Sequence, residues 1–437
     1  MFDEFEFEKK VRDEFEKVFF KEINKIENSL QMQYQAMNWK YVKTAKRTVI
    51  FSFGEMTIYR KCYKKNNEYI YPLDLHLNLE KKSRFSNGFL YQVANLSTKM
   101  SYREVVETIR LLKGIYITKD TVLKSVQLAQ KLYEEKEDYE YYQEEIAADK
   151  KEIETLFIEG DGVMIKTKSG ENLRTDLTHF VVHEGKKIDY GGRYKLINKK
   201  EFISLKNSEA REKLIHYIDK HYTFKKESCL ISNSDMGHGY TAYVFREISK
   251  VFKIHHEHFW DKYHLYNEID LLFNRFEKKE LVILLKESIQ AHDKKQTALV
   301  LETIESLVLD EVYLNQILLF KKKLLNNYAF TKEAKLRGID ETCIGIMESQ
   351  HCKITNRMKN RKMNWSKTGA EAMAKMIIDS KNDELQSLFM GKWRKEYQKM
   401  QLKYLLPVSY FLNEPKNKSE ISSVRFINQH NGLKKQF

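Results

Sequence analysis

Proline is nearly absent from this 437-residue chain, at three residues, and glycine is scarce, at sixteen. A chain so short of breakers is predicted to run in long regular elements, mostly helices. Cysteine is also rare: Cys62, Cys229, Cys343 and Cys352 form no CxxC pair. Neither a disulfide framework nor a zinc ribbon is expected, and a reducing cytoplasm fits. No run of about 18 apolar residues exists, which excludes a transmembrane helix. The start, Met1-Phe2-Asp3-Glu4-Phe5-Glu6, is acidic and lacks the apolar stretch of a secretory signal, so none is expected. No GxxxxGK[ST] loop is present, which leaves an ATP-driven helicase or recombinase without support.

What is there is substantial. Hydrophobic residues make up 42% and charged residues 32% of the chain, enough apolar material to exclude a disordered protein. The length suggests two to four domains. Lys and Arg number 76 against 62 Asp and Glu, a net charge of +14. The excess points to a polyanionic partner, nucleic acid first, although Lys-rich composition alone can produce it.

Residues 1–35 read as a helix, with Phe15, Val18, Phe19 and Ile23 at helical spacing. Residues 36–85 read as a small three-stranded antiparallel unit, with runs at Thr48–Phe53, Met56–Tyr63 and Tyr69–Leu73 and a turn at Lys65-Asn66-Asn67-Glu68. Its Arg60, Lys61, Lys64 and Lys65 are expected to make one face basic. Residues 86–130 read as a helix-turn-helix. Ser101 and Glu104 form a capping box, Lys113-Gly114-Ile115-Tyr116 turns the chain, and Thr118 caps a second helix. The plainer alternative is an ordinary helical hairpin. Residues 131–154, with ten Asp and Glu, read as a solvated helical linker.

From 155 the pattern changes. Strands are expected at Thr155–Lys166, Leu177–His183 and Lys195–Leu205, a helix at Ser208–His221, a strand at Ser228–Asp235, a helix at Gly239–Phe252 and a strand at Lys253–Trp260. The order β-β-β-α-β-α-β over 155–262 is that of an RNase H-like core. Residues 263–342 read as an all-helical insertion, 343–380 as the final helices of the core, and 381–437 as an irregular, polar C-terminal tail. The expected class is therefore mixed α+β.

Asp161 and Asp235 are the strongest candidates for chemistry. Each stands beside a buried-looking β run, where an unpaired carboxylate is costly. A divalent cation shared by both supplies a reason, and hard oxygen ligands suit Mg²⁺, with Mn²⁺ as substitute. Taken singly, either aspartate is more simply a turn or cap residue. The third acid must come from a helix. Glu348 begins one whose next turns carry His351, Lys353, Arg357 and Lys359; Glu371, in Asn364-Trp365-Ser366-Lys367-Thr368-Gly369-Ala370-Glu371, is the reserve. For both, the plain alternative is a surface glutamate. Asp261-Lys262-Tyr263-His264 places an acid and a histidine on one face of a helix start, where Asp261 can equally be an N-cap. A metal set drawn from His255, His256, His258 and His264 ranks low, since strand alternation splits those side chains between faces.

Four pieces together resemble the DDE transposases of bacterial insertion sequences, nearest the ISLre-type family, relatives of the Mutator-like group. They are Gly54-Glu55-Met56-Thr57-Ile58-Tyr59-Arg60; Ile158-Glu159-Gly160-Asp161-Gly162; Ser234-Asp235 with Asp261-Lys262-Tyr263-His264; and Arg357-Met358-Lys359-Asn360 through Trp365-Ser366. They cover roughly residues 40–380. The resemblance implies a cut-and-join reaction: water frees a 3′-hydroxyl at the element's end, and that hydroxyl attacks target DNA in the same two-metal site. It implies Asp161, Asp235 and Glu348 as metal ligands, with Asp261 and His264 organising the site. Arg103, Arg110, Lys119 and Lys124, together with Arg357 and Lys359, are the candidate DNA contacts. It further implies double-stranded DNA partners (terminal inverted repeats and target), a homodimer or larger assembly, and a nucleoid-associated cytoplasmic location with no membrane contact. Removing residues 1–130 is then expected to cost end recognition more than catalysis. The rivals are an RNase H-like nuclease without strand transfer and a decayed transposase that only binds DNA.

Overall fold

The computed structural model describes residues 2–143, 150–168, 174–192, 194–338, 344–361 and 363–404. Helix α1 (Glu4–Ala36) is followed by strands β1 (Lys40–Phe51), β2 (Gly54–Lys65) and β3 (Glu68–Ile70), which form an antiparallel sheet in chain order. Apolar residues of the later turns of α1, among them Ile23, Ile26 and Leu30, pack on Val49, Met56 and Ile58 of that sheet. The expected basic face does not form as such. Arg60 turns inward and pairs with Asp74 of the short helix α2 (Pro72–His76), an acid it shares with Arg47. Lys61 reaches back to Gln31 of α1.

Helices α3 (Asn87–Lys99), α4 (Tyr102–Lys113) and α5 (Lys119–Tyr142) come next. The capping box is present: Ser101 Oγ accepts from the Glu104 N–H, and the Glu104 carboxylate accepts from the Ser101 N–H. Gly114 closes α4 at φ +63°, a left-handed position that glycine adopts without strain. Thr118 occupies the N-cap of α5, but its side chain makes no capping bond. Helix α5 runs unbroken past residue 130, so the acidic stretch is in part its continuation; residues 144–149 of that stretch lie outside the described residues. Leu90 and Ala94 of α3, and Val126, Ala129 and Leu132 of α5, are buried in one core with helices from the far end of the chain. Deleting residues 1–130 would therefore open that core, and it is not a clean test of DNA reading.

Strands β4 (Lys151–Lys166) and β5 (Arg174–His183), the small hairpin β6 (Lys186–Ile188) and β7 (Tyr194–Leu196), and β8 (Lys200–Ser204) follow. The single strand expected at 195–205 is thus divided between the hairpin and β8. Helix α6 (Asn207–His221), β9 (Tyr222–Ser234), α7 (Ala242–Phe252) and β10 (His255–Trp260) complete a five-stranded mixed sheet ordered β10-β9-β4-β5-β8. Pairs β4/β5 and β5/β8 are antiparallel; β4/β9 and β9/β10 are parallel. Helices α6 and α7 cover one face, here the back, through Leu156, Ile158, Phe180, Leu214, Leu230 and Phe245.

Helices α8 (Lys262–Leu272), α9 (Lys279–Gln290), α10 (Lys294–Leu307) and α11 (Glu311–Asn326) build a second core of their own, joined to the sheet through Trp260, Met236 and Ala242. Helices α12 (Met347–Met358) and α13 (Lys367–Lys381) return to the front face, where Ile354, Met358, Met373 and Ile377 meet Val163, Ile165, Leu177 and Ile203. The chain does not turn irregular at 381. Helices α14 (Leu385–Met390) and α15 (Trp393–Tyr404) bury Leu385, Leu388, Phe389, Trp393 and Tyr397, an apolar series that the surrounding Lys and Glu residues mask in the sequence. The remainder of the expected tail, 405–437, lies outside the described residues. The architecture is a mixed α+β one, and among the described residues no helix is long and apolar enough to cross a membrane.

Candidate functional site

Strand alternation sorts β4 into two faces. Ile158 and Gly160 point back toward α6 and α7, and Glu159 and Asp161 point forward. The two glycines flanking Asp161 have a packing reason. A Cβ on Gly160 would lie 2.5 Å from the Phe180 ring, and one on Gly162 would lie 2.3 Å from the Asp176 carboxylate. Large back-face side chains therefore lie directly over the backbone that carries Asp161.

The parallel register pairs Glu159 with Asn233. Extended by two places, it sets Asp161 level with Asp235, just past the end of β9. The two carboxylates feel each other. Burial pushes Asp161 up to about 7, and the Asp235 charge adds to it; the Gly162 N–H and His264 work against the rise. Each aspartate takes one local backbone N–H, Gly162 to Asp161 at 2.6 Å and Gly237 to Asp235 at 2.8 Å. Asp235 and His264 line an open cavity of about 500 Å³ with Asn267, Glu268 and Lys323.

Glu159 is a buried acid that the sequence reading passed over. It is fully buried, accepts from the Ile346 N–H at 3.0 Å, and receives the Asn233 amide at 3.4 Å. Burial pushes it up to about 8, against those two hydrogen bonds, and the Asp261 charge adds to the rise. The Asn233 amide also donates to Asp261 Oδ2 at 3.2 Å. Asp261 caps α8 by accepting from the His264 N–H. Glu159, Asn233 and Asp261 thus tie together the starts of α12 and α8.

A second buried polar group crosses the front face. His351 Nδ1 lies 3.4 Å from Asp161 Oδ2. The His351 ring stacks on His179, whose Nε2 is 3.0 Å from Glu201. Lys353 and Lys199 close on the same carboxylate at 2.6 and 2.8 Å. Burial opposes ionisation of Glu201, but His179 and the two lysines outweigh it and hold the carboxyl well below its usual range. Burial pushes His351 down to about 3, so it meets Asp161 as a neutral ring. Neither His179 nor Glu201 was singled out from the sequence, and His351 was noted only as a basic residue on the helix that Glu348 begins. Glu159 was findable, since it stands two places before Asp161 and alternation puts both on one face. A histidine and a glutamate inside apolar strand runs, at 179 and 201, were a similar signal.

Glu348 stands exposed in the first turn of α12, three residues before His351. Glu371 lies elsewhere. It accepts from the Leu205 N–H at 3.2 Å at the end of edge strand β8, and pairs with Lys375 at 3.0 Å. Arg103, Arg110, Lys119 and Lys124 are all exposed on α4 and α5, on either side of Gly114. Lys359 is exposed, but Arg357 is buried, donating from Nε to the Ser97 carbonyl at 2.8 Å. Among the described residues no three His, Cys, Asp or Glu side chains gather into a ready metal cage. The donors that do converge, two carboxylates, fit a hard cation. No third acid joins them in such a cage among the described residues; Glu348 is exposed at the start of α12, and Glu268 lines the cavity that Asp235 opens on.

A model of the uncharacterised protein family UPF0236 matches residues 2–396 of the chain. The UPF0236 protein in vanSb 3'region of Streptococcus gallolyticus is 30% identical over 381 residues, 86% of this chain and 80% of that protein. A UPF0236 protein of Caldanaerobacter subterraneus subsp. tengcongensis, whose name joins eleven designations of one series, is 23% identical over 361 residues, 81% of this chain and 72% of that protein. A second from the same organism, whose name joins four such designations, is 24% identical over 361 residues, with the same coverage.

Proposed function

Since the chain belongs to the UPF0236 family, and its two aspartates meet on one sheet face, we propose that it is a DDE-type DNA transposase that cuts the ends of an insertion sequence and joins the freed 3′-hydroxyl to target DNA. The observation that carries the proposal is the levelling of Asp161 and Asp235 on neighbouring parallel strands. The strand order β10-β9-β4-β5-β8 is the order expected of an RNase H-like core, with the acids on its first and fourth strands. The α4-Gly114-α5 pair, with its exposed cations, supports a helix-turn-helix reader. The relatives add an independent argument. One protein name spread over eleven designations is what many copies of one coding sequence leave in a genome, and copying is what a mobile element does.

Asp161, Asp235 and Glu348 would hold Mg²⁺. The cation, when bound, activates the attacking hydroxyl and stabilises the departing oxygen. The protein's part is to bring two carboxylates from distant stretches level on one sheet face and to supply a third from the start of α12 when the cation binds. His351 packs against Asp161 and fixes its orientation. Glu159 fastens the start of α12, and with it Glu348, to the sheet. Asp261 and His264 order the turn behind Asp235.

The test uses the purified full chain, Mg²⁺ and a labelled duplex from the gene's own flanks, beside Asp161→Asn. Nicking at the 3′ ends with joining to a plasmid, lost in the variant, is expected. Cleavage without joining would instead identify a hydrolytic nuclease. Binding with neither would identify a DNA-binding relic.

A further inference from the structure

A cavity of about 240 Å³ opens between α3, α12 and α13, away from Asp161 and Asp235. Lys99, Arg361 and Lys381 stand at its exposed rim and Arg357 at its floor, and no carboxylate is among the residues that line it. Lys353 also reaches it but is held by Glu201. Arg361 has one acid near it, Glu104 at 3.4 Å.

Arg357 is only 3% exposed. Its Nε donates to Ser97, its Nη1 reaches the Met363 sulfur, and its guanidinium lies 5.2 Å from the centre of the Trp365 ring. Its Nη2 is buried with no hydrogen-bond partner among the described residues. A buried cation without an anion is costly, and burial pulls Arg357 down to about 10. The floor is therefore an under-satisfied buried guanidinium beneath a rim of three cations, of which only Arg361 has an acid near it.

We propose that this cavity is a phosphate-binding pocket that grips one backbone phosphate of the DNA strand being processed. The site rests on the transposase proposal only for the identity of that strand. A guanidinium with a free N–H, ringed by lysines, suits a phosphodiester oxygen. Placement favours a strand over a free ion. The same helix α12 carries Glu348 and His351 at one end and Arg357 at the other. Nine residues at 1.5 Å each put the pocket roughly 14 Å along the helix from Glu348, about four base-pair steps of duplex.

Arg357 holds Ser97, so its loss would risk misfolding. The test therefore uses the rim. Full-length Lys99→Gln/Arg361→Gln/Lys381→Gln is compared with a charge-matched control on the insertion, Lys294→Gln/Lys295→Gln/Lys322→Gln. Both are placed in an Asp161→Asn background so that only binding is read. Affinity for the flank duplex is measured across a salt series. The rim variant is expected to lower the slope of log K against log salt by about 1, the share of one phosphate contact. The control is expected to leave it unchanged. Equal slopes, or equal losses in both variants, would overturn the pocket. A parallel arm follows melting of the wild-type chain in inorganic phosphate against chloride at matched ionic strength. Stabilisation by phosphate with an unchanged DNA slope would identify a free-anion site and overturn the strand assignment. A rim effect on binding in a protein that never nicks DNA would leave the pocket standing and remove the catalytic proposal.

Discussion

His351 Nδ1 lies 3.4 Å from Asp161 Oδ2, so helix α12 touches strand β4 at the carboxylate proposed to hold the cation. His351→Ala is expected to leave DNA binding intact and to slow cleavage by about 10- to 100-fold, the usual effect of removing a group that orients a ligand. Single-turnover nicking measures it; an unchanged rate would show that Asp161 needs no such support.

Asp161 and Glu159 give the metal-free chain a distinctive pH dependence. In the folded state both keep their protons to about 7 and about 8, whereas an unfolded chain releases them near pH 4. The folded state binds more protons over that interval. The contribution of these two groups to stability therefore falls as pH rises from about 4 through 8, then levels off. Glu201, held low, contributes only at more acid pH. Buried His351, His256 and His258, held down to about 3 to 4, act in the opposite sense below about pH 6.5, so the melting temperature in a chelator is expected to drop by a few degrees from about pH 6.5 to about pH 8.5. Mg²⁺ is expected to raise it more at the higher pH, and Asp161→Asn to flatten both trends. A Mg²⁺ effect that grows toward acid would contradict this.

The two candidate third acids separate cleanly. Glu348 is exposed, so Glu348→Gln is expected to shift stability by less than about 0.5 kcal/mol and to abolish cleavage. Glu371 accepts the Leu205 N–H and pairs with Lys375. Glu371→Gln is expected to cost about 1 kcal/mol and to keep cleavage. Denaturant melts and nicking assays on both variants decide, and the reverse pattern would move the ligand to α13.

Glu159 is expected to behave as a fastener. Glu159→Gln keeps an acceptor for the Ile346 N–H and should fold normally. Glu159→Ala leaves Ile346 and Asn233 with unanswered donors, at a cost of about 2 kcal/mol. Nicking should fall in the Ala variant beyond what its melting temperature explains, and hydrogen exchange at the start of α12 should rise. Equal exchange in the two variants would remove this role.

Gly160→Ala places a methyl 2.5 Å from the Phe180 ring. It is expected to destabilise the chain by about 1–3 kcal/mol, as overpacking does. Gly160→Ala with Phe180→Leu should recover part of that in a denaturant melt.

The sheet was legible because its strands carry apolar runs rich in β-branched and aromatic residues, which rarely sustain such runs outside strands. The capping box at Ser101 and Glu104 was legible because it is local. The facing of Asp161 and Asp235 needed only strand order and register. What sequence could not give was the far side of each contact. Arg60 looked like a surface cation because Asp74 follows in a different element. Arg357 looked like an exposed side chain because Ser97, which anchors it, lies at the other end of the chain. The α14 and α15 helices were hidden because their few apolar residues matter only against α3 and α5.

The front-face core takes Leu90, Ala94 and Leu132 from one end of the chain and Met373, Phe389 and Tyr397 from the other. Contacts at such sequence separation form slowly and form last. A ribosome must finish the described helices before this core can close, so a prematurely terminated product has no packed front face on which to seat a third acid. Such fragments would be cleared as unfolded protein instead of lingering as half-built enzymes. For a protein proposed to break chromosomal DNA, the closing of its last core doubles as a safety catch.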